Sequence, residues 1–96
     1  MNDASSLHPE SGVRVRLLLA HHAEAGAEYA VELFFSDERI EGQAQVPTSG
    51  GLDLTLAEDA PPYAEAGARA FLRQAQSSYK TTGRWPRRML RWRGAK

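Results

Sequence analysis

The 96-residue sequence predicts an α+β fold, in which a three- to four-stranded antiparallel β-meander is covered by one C-terminal α-helix. Between residues 13 and 57, apolar and polar residues alternate in several short segments, which is the period of a half-buried strand. From Pro62 to about Tyr79, apolar residues recur instead at spacings of three and four, which is the period of one helix face. Short connections between the strands favour antiparallel neighbours, because parallel neighbours need long crossovers.

Four segments have the strand period. They are residues 13–20, 29–35, 40–46 and 52–57. In the first segment, valine and leucine alternate with Arg14 and Arg16. Residues 20–35 also contain apolar residues near helical spacing, so both a β-hairpin and a helix stay open for them. Gly26 would cost such a helix about 1 kcal/mol relative to alanine, and the alternation on both sides favours the hairpin, with a connection over residues 21–28.

The predicted helix has signals at both of its ends. Pro62 suits the first helical position, and Gly83 is typical of the residue that ends a helix. Its apolar face consists of Ala64, Ala68, Phe71, Leu72, Ala75 and Tyr79. Full burial of each large side chain on this face contributes roughly 1.5–3 kcal/mol, so we expect packing of this helix on the sheet to be the central contact of the fold.

Composition narrows the class of protein. The chain has no cysteine, which excludes a disulfide framework, thiolate metal ligands and a cysteine nucleophile. No apolar run approaches the roughly 20 residues that span a bilayer, so we expect no membrane association. Residues 1–12 are polar and lack the pattern of a signal peptide. We therefore expect a cytoplasmic protein with a disordered tail over 1–12 and one α+β domain over 13–80.

A formal net charge of zero hides a strong asymmetry along the chain. Residues 1–79 contain all twelve Asp and Glu but only five Arg, whereas residues 80–96 contain seven Lys and Arg and no acid. Such an asymmetry bears on the choice of partners rather than on the fold. Residues 81–96 thus form a separate basic segment, and this segment also contains both tryptophans of the chain.

The basic segment is predicted to be a short helix or an arm. A helix that starts at Pro86 would place Trp85, Met89 and Trp92 on one face, at spacings of four and three. The sequence leaves open whether residues 84–93 pack on the core or form a free arm. The candidate binding residues are the arginines and tryptophans of this segment: Arg84, Trp85, Arg87, Arg88, Arg91, Trp92 and Arg93.

Three interpretations of this segment differ in the partner. The segment docks on the acidic body of its own chain, on an acidic protein surface such as a second copy, or on nucleic acid, because arginines neutralise phosphates and tryptophans stack on bases. No nucleic-acid-binding motif accompanies it. We therefore expect a small binding module that docks on an acidic protein surface or on its own acidic body, with RNA or DNA binding as the alternative.

No catalytic or metal-binding constellation is visible in the sequence. His21 and His22 are adjacent, so on a strand they would point to opposite faces, and no further histidine lies at the spacing of a metal site. Acidic pairs such as Glu58 and Asp59 have no pocket context, and the serines lack the surroundings of a nucleophile. We expect no enzymatic activity, no cofactor and no metal.

Overall fold

The computed structural model describes residues 8–94, which form a five-stranded antiparallel sheet with one helix across one face. The elements in chain order are β1 (Val13–Ala23), β2 (Gly26–Phe34), β3 (Arg39–Pro47), β4 (Asp53–Leu56), α1 (Pro62–Thr82) and β5 (Arg88–Arg93). The strand order across the sheet is β4-β3-β2-β1-β5, and every neighbouring pair is antiparallel. The predicted α+β class and the antiparallel meander are confirmed, with one strand more than expected.

The two faces of the sheet differ in composition. We call the face under α1 the helix face and the opposite one the open face. Val13, Val15 and Leu17 of β1 are buried on the helix face, because alternate residues of a strand share one side. The paired positions on the open face include Arg14, Arg16 and Leu18 of β1, Glu28, Ala30, Glu32 and Phe34 of β2, Arg39, Glu41, Gln43 and Gln45 of β3, Asp53 and Thr55 of β4, and Arg88, Leu90 and Trp92 of β5.

Residues 20–35 form the β-hairpin rather than the helix. Strand β1 continues to Ala23, and only Glu24 and Ala25 separate it from β2, so the connection predicted over 21–28 is wrong. Residues 21–23 pair with residues 26–28 across the ladder. Because this stretch is rich in alanine, its two faces differ little in hydrophobicity and the strand period is hard to see in the sequence. The backbone hydrogen bonds of the ladder form the strands there without large side chains.

Helix α1 begins and ends as its sequence signals predict. Gly83 adopts a left-handed conformation with φ 77°, and its N–H donates to the Tyr79 carbonyl at 2.7 Å. The buried face includes Phe71 and Leu72, which pack on the sheet. Gln76 is buried as well, and its side-chain amide donates to the carbonyls of Pro47, at the end of β3, and of Gly50, in the loop between β3 and β4. The helix is thereby tied to that loop by hydrogen bonds as well as by apolar packing.

The basic segment is neither a helix nor an arm. After an irregular connection over 84–87, residues 88–93 form β5 and pair with β1 from Val13↔Arg93 to Leu18↔Arg88. A six-residue helix makes few internal hydrogen bonds, whereas an added strand pairs its backbone with the otherwise free edge of β1. The predicted grouping of Trp85, Met89 and Trp92 on one face is therefore wrong, because strand alternation puts Met89 and Trp92 on opposite faces.

The N-terminal residues that the structure describes lie against the open face. The His8 ring donates from Nδ1 to the Phe35 carbonyl, and it meets the Phe34 ring edge-on at 5.3 Å. The Arg16 guanidinium also lies 5.3 Å from the Phe34 ring centre, so Phe34 is fully buried although it is on the open face. Residues 1–7, the greater part of the predicted disordered tail, lie outside the described residues.

Gly26 occupies a position that tolerates no side chain. Its φ of 155° is one that other residues rarely adopt. A Cβ atom there would lie 2.4 Å from the Val46 carbonyl oxygen, which belongs to the backbone of β3. The tight junction between the β1–β2 turn and β3 therefore depends on glycine at this position.

We predict that Gly26→Ala lowers the free energy of unfolding by more than about 1 kcal/mol. Alanine is strained at this φ, and its Cβ clashes with the Val46 carbonyl oxygen. A loss of 1 kcal/mol lowers the Tm of a domain of this size by about 4–8 °C, which thermal denaturation resolves. Gly51→Ala is the matched control, since a Cβ there would meet nothing within 4 Å. Equal Tm values for the two variants would contradict the prediction.

Candidate functional site

The five arginines of the predicted site all lie at the β5 edge of the sheet. We call the basic edge the set of β5 together with Arg84 and Arg87 of the preceding connection. All five arginine side chains are exposed. Arg88 is on the open face, whereas Arg91 and Arg93 are on the helix face, because β5 alternates. The structure therefore brings the predicted cations together along one border of the sheet and distributes them over both faces.

None of these arginines forms an ion pair within residues 8–94. Arg16 and Arg39 both pair with Glu32, at 2.5 and 3.2 Å, and Arg69 pairs with Glu65 at 3.3 Å. Arg39 also pairs with Glu41. The prediction that the basic segment pairs with the acidic body of its own chain has no support among these contacts. The charge of the basic edge is left for solvent or for a partner.

Two arginine side chains are nevertheless held in place by α1. The Arg91 guanidinium lies over the Phe71 ring, 5.2 Å from its centre, which is a cation–π contact. The Arg93 side chain crosses α1 at Gly67, where a Cβ would come within 2.4 Å of Arg93 Cδ. Side chains that are already held in one place lose less conformational entropy when a partner binds.

The two tryptophans have different environments. Trp85 is only 7% exposed and stacks on Tyr79, with ring centres 4.5 Å apart and planes at 16°. It therefore belongs to the core, and it cannot stack on a base without leaving the core. Trp92 is 50% exposed on the open face, where its Nε1 donates to the Ser11 carbonyl at 2.8 Å. Only Trp92 is available to a partner.

Leu90 and Trp92 form the apolar part of the basic edge. Leu90 is 48% exposed, and these two are the only large apolar side chains so exposed in the described part of the chain. Both lie on the open face of β5, next to Arg88. The sequence analysis did not single out Leu90, because hydrophobicity does not alternate along residues 88–93 and no local signal marks them as a strand. Arginine beside exposed aromatic and aliphatic groups is a frequent composition of binding surfaces.

Tyr29 fixes the chain just before β5. Its buried hydroxyl donates to the Pro86 carbonyl at 2.6 Å, and its ring meets Trp85 edge-on at 6.4 Å. Burial raises the pKa of Tyr29 to about 12, because the phenolate would be poorly solvated there. The sequence identified Tyr29 as a strand residue but gave no sign that it anchors the basic edge.

Other parts of the surface show less organised chemistry. A groove of about 370 Å³ lies beside His21, with Glu28 and Asp53 at its border. No group of three or more His, Cys, Asp or Glu side chains within residues 8–94 is arranged to hold a metal ion. No helix in that same range is long and apolar enough to cross a membrane.

Comparison with protein-family models, with curated proteins and with solved structures finds no match to this chain.

We predict different fluorescence from the two tryptophans. In Trp92→Phe the remaining signal comes from the buried Trp85, so its emission is blue-shifted and acrylamide quenches it weakly. In Trp85→Phe the signal comes from the half-exposed Trp92, so its emission is red-shifted and strongly quenched. Both changes are tryptophan to phenylalanine, so each variant is the control for the other. Similar quenching in the two variants would contradict the placement of Trp85 in the core.

We predict that Tyr29 makes stability fall between about pH 10 and pH 12. In this window the unfolded chain loses the phenol proton whereas the folded chain keeps it, so the free energy of unfolding decreases as pH rises. Below pH 10, Tyr29→Phe is less stable by about 1 kcal/mol, because the hydrogen bond to Pro86 is lost. Urea denaturation should show the difference in free energy of unfolding between the two proteins shrinking above pH 10. Other groups titrate in both proteins, so their effect cancels in this difference. A difference that stays constant to pH 12 would refute the prediction.

Proposed function

We propose that this chain is a non-enzymatic binding module whose basic edge docks on an acidic surface of another protein. The observation that carries the proposal is the absence of any ion pair for the five arginines of the basic edge within residues 8–94, whereas Arg16, Arg39 and Arg69 are paired. Unpaired like charges on one border repel each other. An acidic partner would relieve this repulsion and would also accept the forked hydrogen bonds of the guanidinium groups.

The apolar groups beside these charges favour a protein as the partner. Leu90 and Trp92 can bury apolar area while the arginines around them pair with carboxylates at the border of the interface. Nucleic acid, the alternative, has less support. Burial of Trp85 leaves Trp92 as the one tryptophan for base stacking, and Glu32 and Glu41 share the open face with the cations there.

We predict that loss of two edge charges weakens binding to an acidic protein probe. The probe is a fluorescein-labelled glutamate-rich peptide followed by anisotropy, with an oligonucleotide of equal charge in parallel. In the variant R87Q/R88Q the Kd should rise by about 2- to 30-fold, since each exposed ion pair contributes about 0.2–1 kcal/mol. Wild-type binding should weaken as salt is raised, because exposed charges are screened.

The matched control is R73Q/K80Q, which removes the same charge from exposed positions of α1. Its affinity for the acidic peptide should stay near that of the wild type. Equal weakening in both variants would mean that the peptide senses only net charge, which would contradict docking at the basic edge. Binding of the oligonucleotide alone would replace the proposal by nucleic-acid binding.

A further inference from the structure

We propose that the acidic partner binds as an extended strand, which pairs its backbone with the free edge of β5 and becomes a sixth strand of the sheet. This inference rests on the proposed function and adds the geometry of binding to it. Among residues 8–94, strand β5 is the last strand on one side of the sheet, and no strand of that range lies beside its outer border. A partner that pairs there gains main-chain hydrogen bonds in addition to charge complementarity.

The register of β5 on β1 identifies the backbone groups that are free. The Leu19 N–H donates to the Arg87 carbonyl at 2.9 Å, so this is a hydrogen-bonded pair of the antiparallel ladder. Such pairs alternate with non-bonded pairs. Met89, Arg91 and Arg93 therefore turn their backbone groups toward β1. The intervening residues turn their N–H and C=O groups outward, namely Arg88, Leu90 and Trp92.

These outward groups form a regular set of three donors and three acceptors. Within residues 8–94, no other backbone or side chain bonds to them. Their own side chains are the exposed groups of the open face, so the backbone and the side chains of Arg88, Leu90 and Trp92 are presented together. Strand β5 has six residues and spans about 20 Å, which is enough for a short strand to pair along it.

The opposite border of the sheet is a weaker site for the same kind of binding. Strand β4 has four residues. The Ala57 N–H donates to the Glu41 carbonyl at 2.8 Å, so only Leu54 and Leu56 turn their backbone groups outward. Glu58 and Asp59 follow after Ala57, which gives this border an acidic character. An acidic strand is thus favoured at β5 and disfavoured at β4.

The side chains of β5 specify the chemistry of the added strand. We take it as antiparallel, because that pairing is the more stable one. Carboxylates are expected opposite Arg93, Arg91 and Arg88, and apolar side chains opposite Trp92, Leu90 and Met89. Read from the amino end of the partner, the pattern is acid, apolar, acid, apolar, apolar, acid. The two acids opposite Arg91 and Arg93 lie on the helix face, over a groove of about 130 Å³ beside Phe71.

A second copy of this chain is the competing occupant of the same border. An antiparallel pairing of two β5 strands about Leu90 would set Arg88 of one copy opposite Trp92 of the other. It would also set Arg87 of one copy opposite Arg93 of the other, and like charges directly opposite each other are destabilising. The remaining arginines of both copies would gather at the same seam with no acid between them. The two occupants respond oppositely to salt, which weakens binding of an acidic strand and strengthens self-pairing.

The test uses three peptides with the sequence Glu-Val-Glu-Val-Leu-Glu and the full-length protein. One peptide is unmodified, one carries N-methyl groups on its second, fourth and sixth residues, and one carries them on its first, third and fifth. In the proposed pairing only the even residues point their N–H groups at β5. We expect even methylation to weaken binding at least about tenfold and odd methylation to leave it within about threefold. The methylated peptides have equal composition, so each is the control for the other.

Amide exchange measured by NMR adds a readout on the protein. On binding of the unmodified peptide, the amides of Arg88, Leu90 and Trp92 should become protected, whereas those of Met89 and Arg91 are protected already in the free protein. Equal binding of the two methylated peptides would overturn strand addition and leave charge-driven docking intact. If the unmodified peptide does not bind while the glutamate-rich probe does, strand addition is likewise overturned and charge-driven docking is left intact.

Two further results would overturn the inference. Failure of every acidic probe to bind would remove the proposed function together with strand addition. Protection of the Leu90 amide in the free protein, with a sedimentation mass that doubles as salt is raised, would assign the border to a second copy. Protection that appears only with the acidic peptide, at a constant mass of the free protein, supports the added strand.

Discussion

The backbone pairing of β5 with β1 is the interaction on which both the core and the basic edge depend. Without it, β1 would be the border of the sheet, and residues 88–93 would lose the strand on which they pair. The pairing places Arg91 and Arg93 against α1, where Phe71 and Gly67 receive them. The connection before β5 is fixed by Tyr29 through the Pro86 carbonyl. One ladder thus positions the cations, and the core holds the ladder in place.

The sequence predicted the elements in which one residue property dominates. In β1, apolar and basic residues alternate, and in α1 a proline start, a glycine stop and an apolar face agree, so local and tertiary preferences coincide. Strand β5 was missed because arginine occurs on both of its faces, so hydrophobicity does not alternate there. The spacing of Trp85, Met89 and Trp92 then fits a helix by coincidence. Pairing with β1, seventy to eighty residues away, decides the outcome.

Some features of the site follow from the local sequence, whereas others depend on contacts between distant residues. Charge asymmetry along the chain is enough to select the arginines of residues 84–93 as candidates. It does not reveal which of them find carboxylates, because that depends on the strand order that separates β5 from the acids of β2 and β3. The difference between Trp85 and Trp92 is likewise tertiary, since Tyr29 and Tyr79 enclose the first from two separate elements.

The arginines of β5 disfavour one kind of partner strand and favour another. Sheet borders with free backbone groups are prone to pair with other strands, and charged side chains are a common protection against this. Arginines on both faces of β5 oppose pairing with a second copy, because positive charge from both copies would gather at one seam with no acid to neutralise it. The same charges favour a strand that carries carboxylates at the matching positions. Specificity is a difference between affinities. Here the same arginines lower the affinity of the chain for a second copy and raise its affinity for an acidic strand.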